Sequence, residues 1–406
     1  MIVRRKKGFD WTLLGTLLLL FFGYLLLFDL TSAAGGSAIF GPNIYDSYSL
    51  QARSWLEGHA TISPQYTWLE LAVYEGQLYV SFPPFPSVVM LPLAALLGEH
   101  VPGNLVLIAA CLTAVACAYE CFRHEGAKDT WAAFWAVFYV MGSNMLSMSV
   151  FGGVWFIAQG FNLALTTGAV WAMLCRRPAL SLALVGFAVG CRPFSICLLA
   201  GLWIFFVWNI WHRDKPGGRL WRAVRILIIP ALTGACYMAY NQARFGDPFE
   251  FGHNYLPEFA QAELGQFDPA YIGENAWNIW MRPIYFGSDG SLVFPEFDGF
   301  MFFVANPLFL VFLAYLIRDI VRRRFRRRQA LIVICFAANM LLLLSHKTFG
   351  GWQFGARYTV DLLPYALLYL LADGVMRPKR AVLFAGAGAV MLNAYGALAL
   401  YYLMGA

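Results

Sequence analysis

The chain has 406 residues, of which 60% are hydrophobic, 17% aromatic and only 13% charged. Soluble domains average about 45–50% apolar and about 25% charged residues, so this composition excludes a soluble enzyme, a disordered regulator and a small disulfide-bonded scaffold. The net charge of +6 does not indicate a nucleic-acid partner, because the basic residues cluster in loops between apolar runs, where they set membrane orientation.

Apolar runs of about 18–20 residues recur along the chain, which is typical of a polytopic α-helical membrane protein. The first follows the basic residues Arg4–Lys7 and extends from Trp11 to about Leu30, which is too long for the apolar core of a cleaved signal peptide. We therefore predict an uncleaved first helix with a cytoplasmic N-terminus. Further runs lie near 103–121, 130–150, 156–175, 179–192, 193–211, 223–242, 300–319, 329–346, 358–375 and 381–403.

The segment 82–98 is shorter and rich in proline, so we expect it to lie on the outer surface or dip into it without crossing. A crossing there would reverse every later loop and export the cluster Arg322–Arg328, against the positive-inside rule. The resulting frame has about 11 crossings, a cytoplasmic N-terminus and an external C-terminus. Of the 29 basic residues, those that fall outside the predicted inner segments are Arg53, Arg192, Arg244, Arg282, Lys347 and Arg357.

We predict one integral membrane domain over residues 1–406 in the inner, or cytoplasmic, membrane, with an all-α fold and amphipathic surface helices in its first outer loop. Its polar groups gather in outer loops near 31–102, 243–299 and 347–357. The cysteines all lie in or beside apolar runs, which predicts no disulfide, and no zinc-ligand spacing or phosphate-binding glycine loop occurs. We predict no cofactor. A divalent cation is an alternative, but the acidic residues of the second loop that could bind it lack calcium-loop spacing: Asp247, Glu250, Asp268, Asp289, Glu296 and Asp298.

In the first outer loop, Asp46 stands at the start of a predicted amphipathic surface helix, Asp46–Gly58. The helix dipole favours the ionised carboxylate that a general base requires, whereas the alternative interpretation is a solvated loop charge. The following FPPFP segment carries aromatic residues suited to the membrane interface. It either lines a lipid-binding groove or serves only as an anchor.

A late outer segment concentrates His346, Lys347, Trp352, Arg357 and Asp361 at the membrane face. Ionisable groups at this depth are costly and usually functional. Lys347 and Arg357 are suited to clamp a phosphate, which arginine can bind through two nitrogens. The alternative is an i,i+4 pair between Arg357 and Asp361 that only caps the next helix.

Two outer turns add further candidates. Arg192 lies in apolar surroundings between two predicted crossings, so it needs either a counter-ion or a ligand phosphate. Gly152, Trp155 and Gln159 mark a turn that lines a sugar pocket or simply holds a tryptophan at the membrane interface. The side chains that we expect to contact substrate are Trp352, Tyr358, Tyr45, Gln159 and Arg244.

Segments spread over nearly the whole chain resemble the GT-C glycosyltransferases, in particular bacterial members grouped with the protein O-mannosyltransferase-like family 39 and the aminoarabinose-transferase-like enzymes. They are ARSWLEGHATI after Asp46, FPPFPSVVMLPLAALLG, GFAVGCRPF, NQARFGDPFEFG and GWQFGARYTVDLLP. The resemblance implies inverting transfer of a sugar from a polyprenyl-phosphate donor to a hydroxyl acceptor on the outer face of the membrane. It further implies Asp46 as the general base, with Arg357, Lys347 and Arg192 as ligands of the departing lipid phosphate.

The acceptor, whether a glycan, a lipid or a protein, is not specified by the sequence, and the loop 243–299 is its expected recognition element. A non-enzymatic transporter or flippase of lipid-linked sugars is an alternative, as is a polymerase or ligase of surface glycans. The transporter needs a polar route across the membrane, but the plainly polar residues of the helix interiors are few: Asn162, Asn306 and Asn339.

Overall fold

The computed structural model describes residues 8–35, 38–213, 215–288 and 290–404, which are mostly helical. Within them, six helices are long and apolar enough to cross a membrane, and a pair bent by 42°, Arg219–Arg225 with Ile228–Phe245, is a seventh candidate. The six are Trp11–Thr31, Gly103–His124, Val154–Leu174, Pro193–His212, Arg327–Leu344 and Arg380–Tyr401. The chain is therefore a multi-pass integral membrane protein.

The N-terminal elements are α1 (Trp11–Gly35), α2 (Ser47–Leu56), β1 (Leu71–Tyr74), β2 (Gln77–Val80) and α3 (Phe85–Leu97). The hairpin formed by β1 and β2 departs from the all-helical prediction. It forms because both strands are rich in β-branched, aromatic and other apolar residues and because the turn residues Glu75 and Gly76 both adopt positive φ, at 49° and 74°. With 13 residues, α3 rises only about 20 Å, short of the roughly 30 Å hydrocarbon core.

The central bundle comprises α4 (Gly103–His124), α5 (Asp129–Val140), α6 (Met145–Met148), α7 (Val154–Leu174), α8 (Pro178–Val189) and α9 (Ile196–Arg213). Helix α4 packs against α5 and α7, and α7 packs against α8, so the core lies among these four helices. Both α5 and α8 contain only 12 residues, which rise about 18 Å. The predicted count of about 11 crossings therefore goes beyond what helix length alone shows.

The remaining helices are α10 (Arg219–Arg225), α11 (Ile228–Phe245), α12 (Pro257–Ala260), α13 (Tyr271–Trp280), α14 (Phe302–Ala305), α15 (Leu308–Val321), α16 (Arg327–Leu344), α17 (Leu363–Asp373) and α18 (Arg380–Met404). A second small hairpin pairs β3 (Tyr285–Phe286) with β4 (Leu292–Val293). Short 3₁₀ turns cover Pro193–Ser195, His253–Tyr255 and Arg357–Leu362.

The second large loop folds back onto the C-terminal end of α16. Phe267 forms an antiparallel bridge with His346, and the Lys347 amide donates a hydrogen bond to the Gln266 carbonyl at 2.9 Å. The Asn275 side-chain amide donates to the carbonyls of Leu344 and His346 at 2.8 and 2.7 Å. These contacts bring the loop 243–299 against the segment 346–361.

Candidate functional site

A cavity of about 270 Å³ lies where the segment before α3 and the second large loop meet the turn between α8 and α9. Its basic groups are Arg192 and Arg357, and its walls are mainly aromatic. Other lining residues come from the segment before α3, from α7, from the second loop and from the end of α16: Phe82, Trp155, Glu250, His253, Asn254 and His346.

Arg192 has the counter-ion that its sequence context required. Its Nε donates a hydrogen bond to Asp361 Oδ2 at 2.9 Å, and the Asp361 side chain is fully buried. The guanidinium lies 4.3 Å from the ring centre of Tyr358. Among the described residues, no hydrogen-bond partner reaches Arg192 Nη2, so this nitrogen can still bind a ligand anion.

Asp361 belongs to a buried hydrogen-bond network that holds the ion pair. Asn162 Nδ2 donates to Asp361 Oδ1 at 3.1 Å, and Ser195 Oγ donates to Asn162 Oδ1 at 2.6 Å. The i,i+4 pair between Arg357 and Asp361 weighed for the sequence is not formed, because Asp361 pairs with Arg192. Residues 357–362 form a 3₁₀ turn, in which residues four apart do not share a face as they do in an α-helix.

Arg357 is held in the cavity wall by its own backbone. Its amide donates to Gln353 Oε1 at 2.6 Å, and its carbonyl accepts from Gln159 Nε2 at 2.7 Å. The side chain is 6% exposed and lies 5.2 Å from the ring centre of Tyr358. Within the described part of the chain, Arg357 Nε has no hydrogen-bond partner. The two arginines thus share one aromatic ring and both have nitrogens available to an anion.

Two histidines beside these arginines are neutral at physiological pH. Burial is the main cause that lowers the pKa of His253 to about 3 and that of His346 to about 4, and the charge of Arg192 contributes to both shifts. Glu250 supplies the carboxylate of the lining and accepts hydrogen bonds from the Gly252 amide at 2.5 Å and from Asn254 Nδ2 at 2.7 Å. Of these three residues, His346 belongs to the late segment of ionisable groups that the sequence singles out, and Glu250 lies within the motif NQARFGDPFEFG, whereas no sequence signal assigned His253 to a site.

Asp46 is the N-cap of α2 and is 4% exposed. Its carboxylate accepts hydrogen bonds from the Ser49 amide at 3.1 Å and from the Ser49 hydroxyl. Burial raises the pKa of Asp46 to about 6, although the hydrogen bonds from Ser49 oppose this shift. The sequence suggested that the helix dipole keeps this group ionised, but desolvation acts in the opposite direction and is the larger effect.

Asp46 does not line the cavity. The neighbouring Tyr45 ring lies 5.8 Å from the ring of Trp155, which does line it, and Trp155 Nε1 donates to Glu70 Oε2 at 2.9 Å. Gly103 lies against the carboxylate, since a Cβ at that position would be 3.0 Å from Asp46 Oδ2. The predicted base and the arginine cavity are therefore separate but linked through the Tyr45–Trp155 aromatic pair.

Other residues expected to contact phosphate or substrate have different surroundings. Lys347 does not line the cavity, and its Nζ donates to the Glu258 carbonyl in the second loop. Trp352 is 40% exposed and packs on the Phe297 ring at 5.4 Å. Gln159 is fully buried behind the wall, where it holds the Arg357 carbonyl.

Arg244 connects α11 to the hairpin of β1 and β2. It is 3% exposed and donates to the Val80 carbonyl at 2.7 Å and to Asn241 Oδ1 at 3.0 Å. Its guanidinium lies between the rings of Tyr240 and Phe245, at 4.1 and 4.5 Å from their centres. This side chain braces the hairpin and does not face the cavity.

The described residues contain no group of three or more His, Cys, Asp or Glu side chains that could hold a metal ion. Asp289, one of the acidic residues of the second loop, lies outside the described residues. All eight cysteines are free thiols.

Of the predicted site residues, the structure brings together Arg192, Arg357 and Tyr358, which all line one cavity.

No protein family profile and no curated protein matches this chain. Among solved structures, it is similar to ArnT from Cupriavidus metallidurans bound to undecaprenyl phosphate, with 16% identity and a TM-score of 0.50 over 90% of this chain and 61% of ArnT. It is also similar to the apo oligosaccharyltransferase of Archaeoglobus fulgidus, with 14% identity and a TM-score of 0.50 over 97% of this chain and 56% of that enzyme. The chain therefore spans less than two thirds of either protein, and the likeness shows a GT-C-like membrane fold.

Proposed function

We propose that this protein is a membrane glycosyltransferase that moves a sugar from a polyprenyl-phosphate donor to a hydroxyl group of a glycan, lipid or protein. The observation that carries the proposal is the pair of arginines, Arg192 and Arg357, whose available nitrogens meet at one aromatic-walled cavity. A phosphate or diphosphate is the anion that such a pair suits best, because each guanidinium can donate two parallel hydrogen bonds. The likeness to ArnT bound to undecaprenyl phosphate supports a lipid-linked phosphate.

In the proposed reaction the acceptor oxygen attacks the anomeric carbon of the donor sugar from the face opposite the phosphate. The bond between that carbon and the phosphate oxygen breaks, and the configuration inverts. Negative charge grows on the departing phosphate, so Arg192 and Arg357 stabilise the transition state more than the ground state. The acceptor proton passes to a carboxylate base.

We propose Asp46 as that base. With a pKa of about 6, it is mostly ionised at neutral pH and yet basic enough to accept a proton. Since Asp46 is buried beside Tyr45, this role requires the Tyr45–Trp155 wall to open toward the acceptor. Glu250 is the alternative base, because its carboxylate already lines the cavity.

The other predicted residues take secondary places in this proposal. Tyr358 supports both guanidinium groups, and the Tyr45–Trp155 pair offers ring faces on which a sugar can stack. Lys347 would join the phosphate only by releasing the Glu258 carbonyl. We further propose that the cavity faces outward in the frame of about 11 crossings, because this frame keeps the cluster Arg322–Arg328 inside.

The test is a turnover assay on purified protein with radiolabelled polyprenyl-phosphate sugars and a crude envelope extract as acceptor. Wild type and an Arg282→Gln control, altered outside the cavity, should transfer label, whereas Arg357→Gln and Asp46→Asn should not. If Asp46→Asn transfers label within a few fold of wild type while Glu250→Gln loses transfer, Glu250 and not Asp46 is the base. Donor that binds to every protein but is never consumed would favour a carrier over an enzyme.

A further inference from the structure

A second groove, lined by none of the residues of the cavity described above, extends along α15. It has a volume of about 430 Å³ and runs between α15 and the beginning of α18. The cavity adjoins the C-terminal end of α16, whereas the groove adjoins the loop before its N-terminus. Because α16 has 18 residues, the basic end of the groove is separated from the cavity by about 27 Å.

One end of this groove is basic and the rest is apolar. Arg318, Arg322 and Lys379 form the basic end. The apolar part consists of aliphatic side chains from the two helices, including Leu310, Val311, Ala314, Val382 and Ala385. Leu310 is 48% exposed, so the apolar wall is open to the surroundings of the helices.

Of the three basic side chains at the groove, Arg318 is neutralised by neighbouring carboxylates, whereas no described residue neutralises Arg322 or Lys379. Arg318 Nη2 lies 2.6 Å from Asp319 Oδ1 and 2.5 Å from Asp373 Oδ1, so its charge is balanced and its side chain is fixed. Arg322 and Lys379 are exposed, and no ion pair between described residues involves their side chains. The mouth of the groove therefore carries positive charge that the described part of the protein does not neutralise.

We propose that this groove binds an anionic glycerophospholipid, with its phosphate at Arg322 and Lys379 and an acyl chain along α15 and α18. Leu310 and Arg322 are separated by about 18 Å along the helix axis, a distance that an acyl chain can follow. Basic pockets between membrane helices attract anionic lipid head groups, and the aliphatic wall of the groove offers a surface for the acyl chain. This proposal does not depend on the proposed enzymatic function.

The experiment measures lipid retention by native mass spectrometry on delipidated full-length protein titrated with dioleoyl-phosphatidylglycerol or dioleoyl-phosphatidylcholine. The double variant Arg322→Gln/Lys379→Gln should bind the anionic lipid roughly 25-fold more weakly, about fivefold for each cation. The control Arg323→Gln/Arg324→Gln has the same net charge but leaves the groove intact, so it should retain wild-type binding. Equal losses in both double variants would reduce the effect to general surface charge and overturn the proposal.

A second pair of variants tests the acyl-chain part without changing charge. Ala314→Trp fills the groove and should weaken retention, whereas Leu313→Trp alters a neighbouring exposed position that does not line it. Undiminished binding by Ala314→Trp would overturn the assignment of the groove. Equal retention of the zwitterionic and anionic lipids by wild type would also overturn the proposal. A change from monomer to dimer in the Ala314→Trp variant, without loss of lipid, would overturn it as well.

Discussion

Gly350→Ala should displace the Arg357 guanidinium and weaken binding of a polyprenyl phosphate. Gly350 has a φ of +79°, and a Cβ there would lie 2.5 Å from Arg357 Nε and 2.6 Å from its Cζ. The backbone is held in place, because the Gly350 carbonyl accepts hydrogen bonds from the Asp298 amide at 2.8 Å and from Gln353 Nε2 at 2.7 Å. The guanidinium must therefore move by about 1 Å to reach ordinary contact distance.

Two separate costs follow from this substitution. The positive φ of an alanine destabilises the fold by about 1–2 kcal/mol, independently of any ligand. Loss of a hydrogen bond from a charged donor to the phosphate weakens binding by about 1.5–3 kcal/mol, which corresponds to roughly 10- to 150-fold in affinity. The first cost changes thermal stability, and the second changes donor affinity.

Gly76→Ala is the matched control, because Gly76 has a φ of +74° and a Cβ there would meet no atom within 4 Å. Undecaprenyl phosphate binding and thermal unfolding are measured on both purified variants. Similar stability losses with a loss of affinity confined to Gly350→Ala are expected. Equal donor affinity of the two variants would refute the reasoning, as would a further loss when Gly350→Ala is added to Arg357→Gln.

Burial raises the pKa of Asp46 to about 6, above the value of about 3.9 expected in the unfolded chain, so wild type should lose stability as pH rises from about 4 through 6. Asp46→Asn should not show this loss of stability when thermal unfolding is measured across the same pH range. The transfer activity of wild type should rise through pH 6. Stability curves of wild type and Asp46→Asn that run parallel would contradict the raised pKa of Asp46. Asp361→Asn should lower the free energy of unfolding by about 3 kcal/mol. Breaking a buried ion pair costs about 3–5 kcal/mol, and the lower end applies because 16% of the Arg192 side chain is exposed. Adding Arg192→Gln should recover part of that loss in a double-mutant cycle, and purely additive losses would count against the pair. A cysteine at Ala95 in a cysteine-free background should react with a membrane-impermeant reagent from outside only, and cytoplasmic labelling would contradict the frame of about 11 crossings.

The sequence by itself determined the membrane class and the large loops that contribute to the cavity. Long apolar runs predict membrane helices because each helix satisfies its own backbone hydrogen bonds, so this signal is local. Asp46 could be assigned to a helix start for the same reason, since an N-cap depends on the three residues that follow it. The hairpin at residues 71–80 also has a local signal, two short apolar runs on either side of Glu75 and Gly76, which the helical interpretation left unused.

Only the tertiary structure decided how the charged groups pair. Arg192 and Asp361 are 169 residues apart, and no local pattern distinguishes that pair from the i,i+4 pair of Arg357 with Asp361. Likewise, Glu250 and His253 reach the cavity because the second loop folds onto the end of α16. The physical reason is that burial makes an unpaired charge costly, so Arg192 pairs with the carboxylate that packing brings near it. Packing is a property of the whole chain, and no local pattern specifies it.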